Sequence, residues 1–262
     1  MIQLREYVKV QSLEEAYQLN QKKPNILVGG MQWIKMSSKA YGTAIDLSGL
    51  GLDKIIETED SFEIGCMVSL RDLELHAGLN AYSNGAISDS VRDIVGVQFR
   101  NTATIGGSIF GRFGFSDVLT VFMAMDTTVV CYKAGEIPLV EFAQMKRDRD
   151  IIEKIIVRKK PIKIAYQAIR KARTDFPVLA CAVSNLDGKW LAVIGSRPAR
   201  AVLVSDEGNI LKEGFTEAEA TSFGEAVASK LTFGSDLRGS AEYRRMTTPV
   251  LVRRALMKIA EQ

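Results

Sequence analysis

Two glycine pairs in this chain have the makings of an anion cradle. The first lies in Leu27-Val28-Gly29-Gly30-Met31-Gln32-Trp33, the second in Ala103-Thr104-Ile105-Gly106-Gly107-Ser108. Each follows an apolar or β-prone run and is trailed by a short polar residue, Gln32 or Ser108. Without Cβ atoms, successive backbone N–H groups converge on an anion unobstructed and bring no charge of their own to desolvate. Two such segments from distant parts of one chain suit the two phosphates of a dinucleotide. Taken singly, either pair reads first as a tight turn. Neither fits a phosphate signature of known mechanics. A P-loop ending in Gly-Lys-Ser/Thr is absent and no G-x-G-x-x-G opens a helix, which disfavours P-loop and Rossmann sites.

Asp117 follows the second pair at the head of an apolar run. It reads either as a helix N-cap, which needs only a side-chain oxygen, or as a carboxylate accepting hydrogen bonds from a ligand. His76 is the only histidine, and no nucleophile elbow accompanies it; a structural or surface role is expected. Cys66, Cys131 and Cys181 are odd in number, far apart and without a CxxC, so buried reduced thiols are expected rather than a metal site. Arg158-Lys159-Lys160 reads as a solvated strand end. Arg244, Arg245, Arg253 and Arg254 suit either a solvated face or a face for a partner.

The elements that must position these residues fall into three stretches. The first fifty residues read as strand, helix, strand, helix, strand. Ser12 and Glu15 form the capping box of the first helix, Ile26 to Val28 is a short buried strand, and MQWIKMSSK restarts a helix before a strand at Ala44 to Ser48. From about Leu52 to Val157 a hairpin turns near Asp60 and Ser61, and Ser69 and Asp72 cap a helix toward His76. VQFRNTATIGGSIFGRFGFSD reads as a long loop, a feature that in a compact domain is usually functional. VLTVFMAMD is a buried helix, and TTVVCYKA and DIIEKIIVRK are strands. After a boundary near Lys160 and Pro161, Asp187-Gly188 marks a hairpin between FPVLACAVS and KWLAVIGS. An amphipathic helix follows, then either a helix pair or one helix bent at Pro249.

The chain has 262 residues, of which 47% are hydrophobic and 25% charged, so it can bury a sizeable core without disulfide or metal. Its 34 Lys and Arg against 31 Asp and Glu leave a net charge of +3, too little for a nucleic-acid binder that works through a concentrated basic face. With no apolar run near the length of a membrane span and no signal-peptide pattern, a cytoplasmic location is expected.

ILVGGM, QFRNTATIGGS, Ser116-Asp117 before an apolar helix, and the late GSAEYRR and LVRRAL occur in an order and spacing that resemble the FAD-binding medium subunit of the molybdenum hydroxylases. That family includes xanthine dehydrogenase and aerobic carbon monoxide dehydrogenase, and the resemblance covers essentially the whole chain. It implies an α/β (α+β) chain with a VAO/PCMH-type FAD-binding domain at residues 1–160, in two subdomains of about 1–51 and 52–160. A C-terminal α/β domain of the CO dehydrogenase flavoprotein type follows at 161–262. Carried over by position, Ile26, Leu27, Val28, Gly29, Gly30, Met31, Gln32 and Trp33 wrap the FAD pyrophosphate and neighbouring groups. Thr104, Ile105, Gly106, Gly107 and Ser108 form the second clamp, with hydroxyl donors at Thr104 and Ser108. Asp117 bonds the polar edge of the flavin or its ribityl chain, and Ile152 makes an apolar contact near it.

The resemblance further implies that no side chain here acts as acid, base or nucleophile. A molybdopterin-binding large subunit oxidises the substrate, and a [2Fe-2S] small subunit passes electrons to FAD in this chain, which delivers them to NAD or another acceptor. Two alternatives stand beside it: a stand-alone PCMH-fold oxidoreductase acting on a small molecule, and an α/β module without FAD. Three departures from the family pattern bear on the site. Met31 stands where many relatives carry a threonine, Gln167 where some carry a lysine, and Gly111-Arg112-Phe113-Gly114-Phe115 is more aromatic than usual, so that Phe113 or Phe115 packs by the flavin or shields it.

Overall fold

A computed structural model describes residues 2–262. Strands β1 (Gln3–Lys9), β2 (Ile26–Val28) and β3 (Ala40–Asp46) form a parallel sheet in the order β1-β3-β2, with helix α1 (Leu13–Gln21) as the first crossover. Ser12 caps α1 by accepting from the Glu15 amide at 3.1 Å, while the Glu15 carboxylate accepts from the Gln11 amide at 2.8 Å. The second helix expected here does not form. Ile34–Met36 makes only a 3-10 turn, without a side-chain cap. Met31 lies in the left-handed region at φ 55°, and Ser37 accepts from the Lys39 amide at 3.0 Å, so local bonds compete with a helix at both ends.

The middle stretch builds an antiparallel sheet. Strands β4 (Ile55–Glu57) and β5 (Ser61–Gly65) form the expected hairpin, followed by α2 (Leu70–Leu75), α3 (Ala77–Tyr82) and α4 (Ala86–Val91). Ser69 and Asp72 complete a reciprocal box on α2, and His76 caps α3 through Nδ1, accepting from the Leu79 amide at 3.1 Å. His76 is therefore structural. The glycine-rich segment read as one loop instead contains two short helices, α5 (Val97–Arg100) and α6 (Ile105–Phe110). Arg100 anchors it, buried and paired with Glu74 at 2.8 Å, and the Leu70, Ile105 and Gly106 amides tie it to its neighbours through Ala103, Val68 and Cys66 carbonyls. Helix α7 (Asp117–Phe122) is wholly buried, as its apolar sequence requires. Strands β6 (Thr127–Cys131) and β7 (Gly135–Pro138), helix α8 (Leu139–Gln144) and strand β8 (Ile152–Arg158) complete the sheet in the order β4-β5-β8-β6-β7.

The third sheet is antiparallel, β12-β11-β10-β9, from β9 (Ile162–Arg170), β10 (Pro177–Leu186), β11 (Lys189–Gly195) and β12 (Val202–Ser205). Asp187 (φ 50°) and Gly188 (φ 78°) form the primed turn expected between β10 and β11. This sheet is buried on both faces, and its strands show it by alternation. On β10, Ala180 and Ala182 enter the core shared with the first two sheets, whereas Leu179, Cys181 and Val183 enter a second core. That second core is closed by α9 (Glu217–Ser229) and by α10 (Ala241–Ala260), a single helix that runs through Pro249.

Arg244 on α10 is neither solvated nor available to a partner. It is fully buried, donating to the Val178 carbonyl at 2.8 Å and to Asp236 at 2.6 Å, so it locks α10 to the loop before it. The three basic residues Arg158, Lys159 and Lys160 each meet a carboxylate, on Glu136, Glu57 and Asp126. All three cysteines are buried and free, and burial pushes the Cys66 and Cys131 thiols up to about 12. No helix among the described residues is long and apolar enough to cross a membrane.

Candidate functional site

The fold brings the two glycine pairs together although more than seventy residues separate them. The segment after β2 lies along the segment before α6. A Cβ on Gly29 would sit 2.9 Å from Thr104 Oγ1, and one on Gly30 would run into the Thr102 carbonyl and come within 2.9 Å of Ala103 Cα. Gln32 crosses the seam and donates to Thr102 Oγ1. None of the four glycines has a positive φ among those of the chain that do, so a left-handed turn is not why they are glycine.

The four divide by what surrounds them. Gly30 meets backbone, and so does Gly106, whose Cβ would lie 2.6 Å from the Cys66 carbonyl oxygen. These two are required by packing alone. Gly30→Ala is accordingly expected to lower stability by about 1–3 kcal/mol through overpacking, measurable by chemical denaturation with or without ligand. Gly107 differs. It is exposed, and its Cβ would meet only Thr104 Oγ1, at 3.2 Å. Its backbone conformation does not require glycine, and its one tight contact is with a side-chain hydroxyl rather than with backbone.

The side chains around the seam are not all free to serve a ligand. Thr104 caps α6, accepting from the Gly107 amide at 3.2 Å, and Ser108 donates its hydroxyl proton to the Thr104 carbonyl at 3.0 Å. The Val28, Ile105 and Ile152 side chains point into the hydrophobic core, while Ile26, Leu27, Met31 and Gln32 are half-buried. Ile152 is joined to the seam through Cys66, which accepts from Gly106 and donates to Glu153, both at 2.9 Å. Trp33 is 43% exposed and packs with Phe113, Phe115 and Phe176, stacking on Phe176 at 5.5 Å between centroids. Phe113 and Phe115 stack on each other at 5.1 Å, so the aromatic loop forms a wall beside the first glycine segment.

Asp117 is not the N-cap that one reading of the sequence makes it. Ser116 caps α7, accepting from the Leu119 amide at 3.1 Å. Asp117 Oδ1 accepts from the Tyr166 hydroxyl and from Arg170 Nη2, the latter at 2.9 Å, and all three side chains are almost wholly buried. Burial pushes the Asp117 carboxyl above the ordinary carboxylate range, against the pull of Arg170 and Tyr166. For Arg170, burial opposes the charge, but Asp117 and Tyr166 beside it more than offset that and raise its pKa. The geometry, a charge-assisted bond sealed from water, favours the ionised pair. Sequence reading passed over Tyr166, Arg170 and Phe176. The alternation of Ile164 and Tyr166 on β9 marks an inward face but carries no sign of the partner it meets. Among the described residues no group of His, Cys, Asp and Glu could hold a metal ion.

The mixed α/β fold thus brings two glycine segments together across its first two sheets. Residues 2–159 match the family described as FAD binding domain in molybdopterin dehydrogenase, and the chain belongs to that family. It is thus an FAD-binding medium subunit of the molybdenum hydroxylase type, an oxidoreductase component, as the sequence motifs imply.

Among its relatives, the protein YgfM of Escherichia coli (strain K12) is 26% identical over 265 residues, covering 95% of this chain and 94% of that one. The glyceraldehyde dehydrogenase medium chain of Sulfolobus acidocaldarius is 24% identical over 277 residues, covering 97% and 98%. In structure the chain is similar to a subunit of carbon monoxide dehydrogenase from Hydrogenophaga pseudoflava, with a TM-score of 0.84 at 22% identity over 96% of each chain. The chain therefore has the mixed α/β fold of the FAD-binding subunit of carbon monoxide dehydrogenase and related molybdenum hydroxylases.

Proposed function

We propose that this chain is an electron-transfer subunit that holds FAD in the seam between its glycine segments. It would receive electrons from a [2Fe-2S] small subunit and pass them to NAD or another acceptor, while a molybdopterin-binding large subunit oxidises the substrate. FAD supplies the redox chemistry when bound; the chain's work is to bind, orient and shield it. One observation carries this reading: Gly107, unlike Gly30 and Gly106, is a glycine that no clash with backbone requires, exposed where a second glycine segment arrives.

In this reading, backbone N–H groups of residues 29–32 take the diphosphate, because the amides of 105–108 already donate to Val68, Cys66 and Thr104, and Gly29 and Gly107 keep Cβ atoms out of its path. Trp33, Phe113 and Phe115 shield the cofactor from water. Asp117, held by Tyr166 and Arg170, presents its carboxylate to a polar group of the ribityl chain or flavin edge. Ile152 acts from the core, behind the backbone.

Purification from the native host tests the whole assignment. The expected result is a yellow chain with flavin absorbance that co-purifies with molybdopterin and [2Fe-2S] subunits. A colourless chain that takes up no FAD would remove the cofactor assignment. A lone yellow chain whose flavin is reduced directly by a small molecule would move it to the stand-alone oxidoreductases.

A further inference from the structure

Outside the glycine seam, the loop after α6, the loop after β11 and the loop before α10 line an open cleft of ≈ 310 Å³. None of its lining residues belongs to either glycine segment. Phe113 and Phe115, stacked on each other with Arg147 4.8 Å from the Phe113 ring centroid, supply aromatic surface, and Arg112, Arg200, Arg238 and Ser196 supply polar groups. The one acid in the lining, Asp236, accepts from Arg244 at 2.6 Å and from the Arg238 amide at 2.8 Å and pairs with the Arg238 guanidinium at 3.6 Å, which leaves Arg112 and Arg200 without a carboxylate in the lining. The pocket therefore holds more positive charge than its own carboxylate offsets.

Two lining residues carry a buried polar atom with no hydrogen-bond partner, Arg112 Nη2 and Ser196 Oγ. Arg112 is 4% exposed and Ser196 6%. The rest of the Arg112 head is fixed: Nε donates to the Phe142 carbonyl at 2.9 Å, Nη1 to the Phe110 carbonyl at 3.2 Å, and the guanidinium lies 3.8 Å from the Phe142 ring centroid. No carboxylate stands within salt-bridge distance of it among the described residues, and burial pulls its pKa down. Both residues sit in the left-handed region, at φ 44° and φ 57°, and the Ser196 amide donates to the Gly114 carbonyl at 2.6 Å, tying the two loops together. Buried donors without acceptors, held by strained backbone in a pocket, are the pattern of a site awaiting a partner.

We propose that this pocket binds a small organic anion. Its phosphate or carboxylate oxygens accept from Arg112 Nη2 and Ser196 Oγ, and its flat apolar body rests on Phe113 and Phe115. The pocket borders the FAD seam through Phe113 and Phe115, which the proposed function also uses, but no residue of either glycine segment lines it.

Calorimetric titration of the chain, stripped and FAD-loaded, with AMP and with benzoate at fixed ionic strength tests it. Saturable one-to-one binding of either is expected; tighter AMP identifies a nucleotide phosphate as the source, tighter benzoate an aromatic carboxylate. Arg112→Met and Ser196→Gly should each weaken it about tenfold, the effect of losing one hydrogen bond to a charged group. Glycine suits the backbone at 196, so that variant decides the question should Arg112→Met fail to fold. The proposal is overturned if neither anion binds, if Ser196→Gly binds both as tightly as the parent, or if FAD loading abolishes binding, which would assign the pocket to the flavin itself.

Discussion

Gly107→Val is expected to leave the fold intact and to abolish FAD retention. Within the chain the new Cβ meets only the Thr104 hydroxyl, at 3.2 Å, a side chain that can give way, and valine is the better helix residue, so the apoprotein is expected to stay folded. In the seam, however, the branched carbon takes the place where phosphate oxygens would approach the amides. Losing two hydrogen bonds to a charged group costs about 3–6 kcal/mol, a fall in affinity of about 100-fold or more. Circular dichroism and the denaturation midpoint report the first half, and flavin titration the second. The contrast with Gly30→Ala is what makes the pair informative: there the fold should suffer first, because the clash is with backbone. Parent-like FAD affinity in Gly107→Val would remove the residue from the cofactor site.

The second large effect is expected at Arg170→Met. Arg170 and Asp117 have side chains only 8% and 4% exposed, so the substitution strands a carboxylate with the Tyr166 hydroxyl as its remaining side-chain donor. Breaking a buried pair from one side costs about 3–5 kcal/mol, most of it the penalty of the uncompensated charge. Denaturation of the chain without FAD should show that loss, and Asp117→Asn combined with Arg170→Met should recover much of it. A single-variant loss below about 1 kcal/mol, the range of a solvent-exposed pair, would mean that water reaches the site.

These residues also join the buried helix of the middle stretch to the first strand of the third sheet. Asp117→Ala thus acts in two places, on the tie to β9 and on any cofactor contact. Comparing its stability with and without FAD separates the two, since a ligand contact adds a loss that appears only when FAD is present.

Much of the chain could be read in advance because its signals are local. Ser69 with Asp72, Asp187 with Gly188, and the unbroken apolar run after Asp117 act within a few residues, and the structure forms the helix, turn and buried helix they indicate. Where local signals compete, reading along the chain does less well. Met31 to Lys39 has helical periodicity, but its left-handed start and its serines leave one 3-10 turn. The stretch around Gly106 looks too glycine-rich for helix, but Thr104 supplies a cap and Cys66 a tertiary anchor.

Local patterns along the chain gave most strands and several helices, the two glycine pairs and the family they announce, but not the strands at Gly135–Pro138, Ile162–Arg170 and Val202–Ser205. Only the tertiary structure decided which glycines are packing necessities, that Asp117 and Arg244 are buried partners rather than a cap and a surface charge, and that Tyr166 and Arg170 hold Asp117 while Phe176 stacks on Trp33. The reason is distance along the chain. A cap or turn is fixed by neighbours a few bonds away, whereas a buried charge or a clash-free glycine is defined by atoms on segments that meet only when the sheets close on one another.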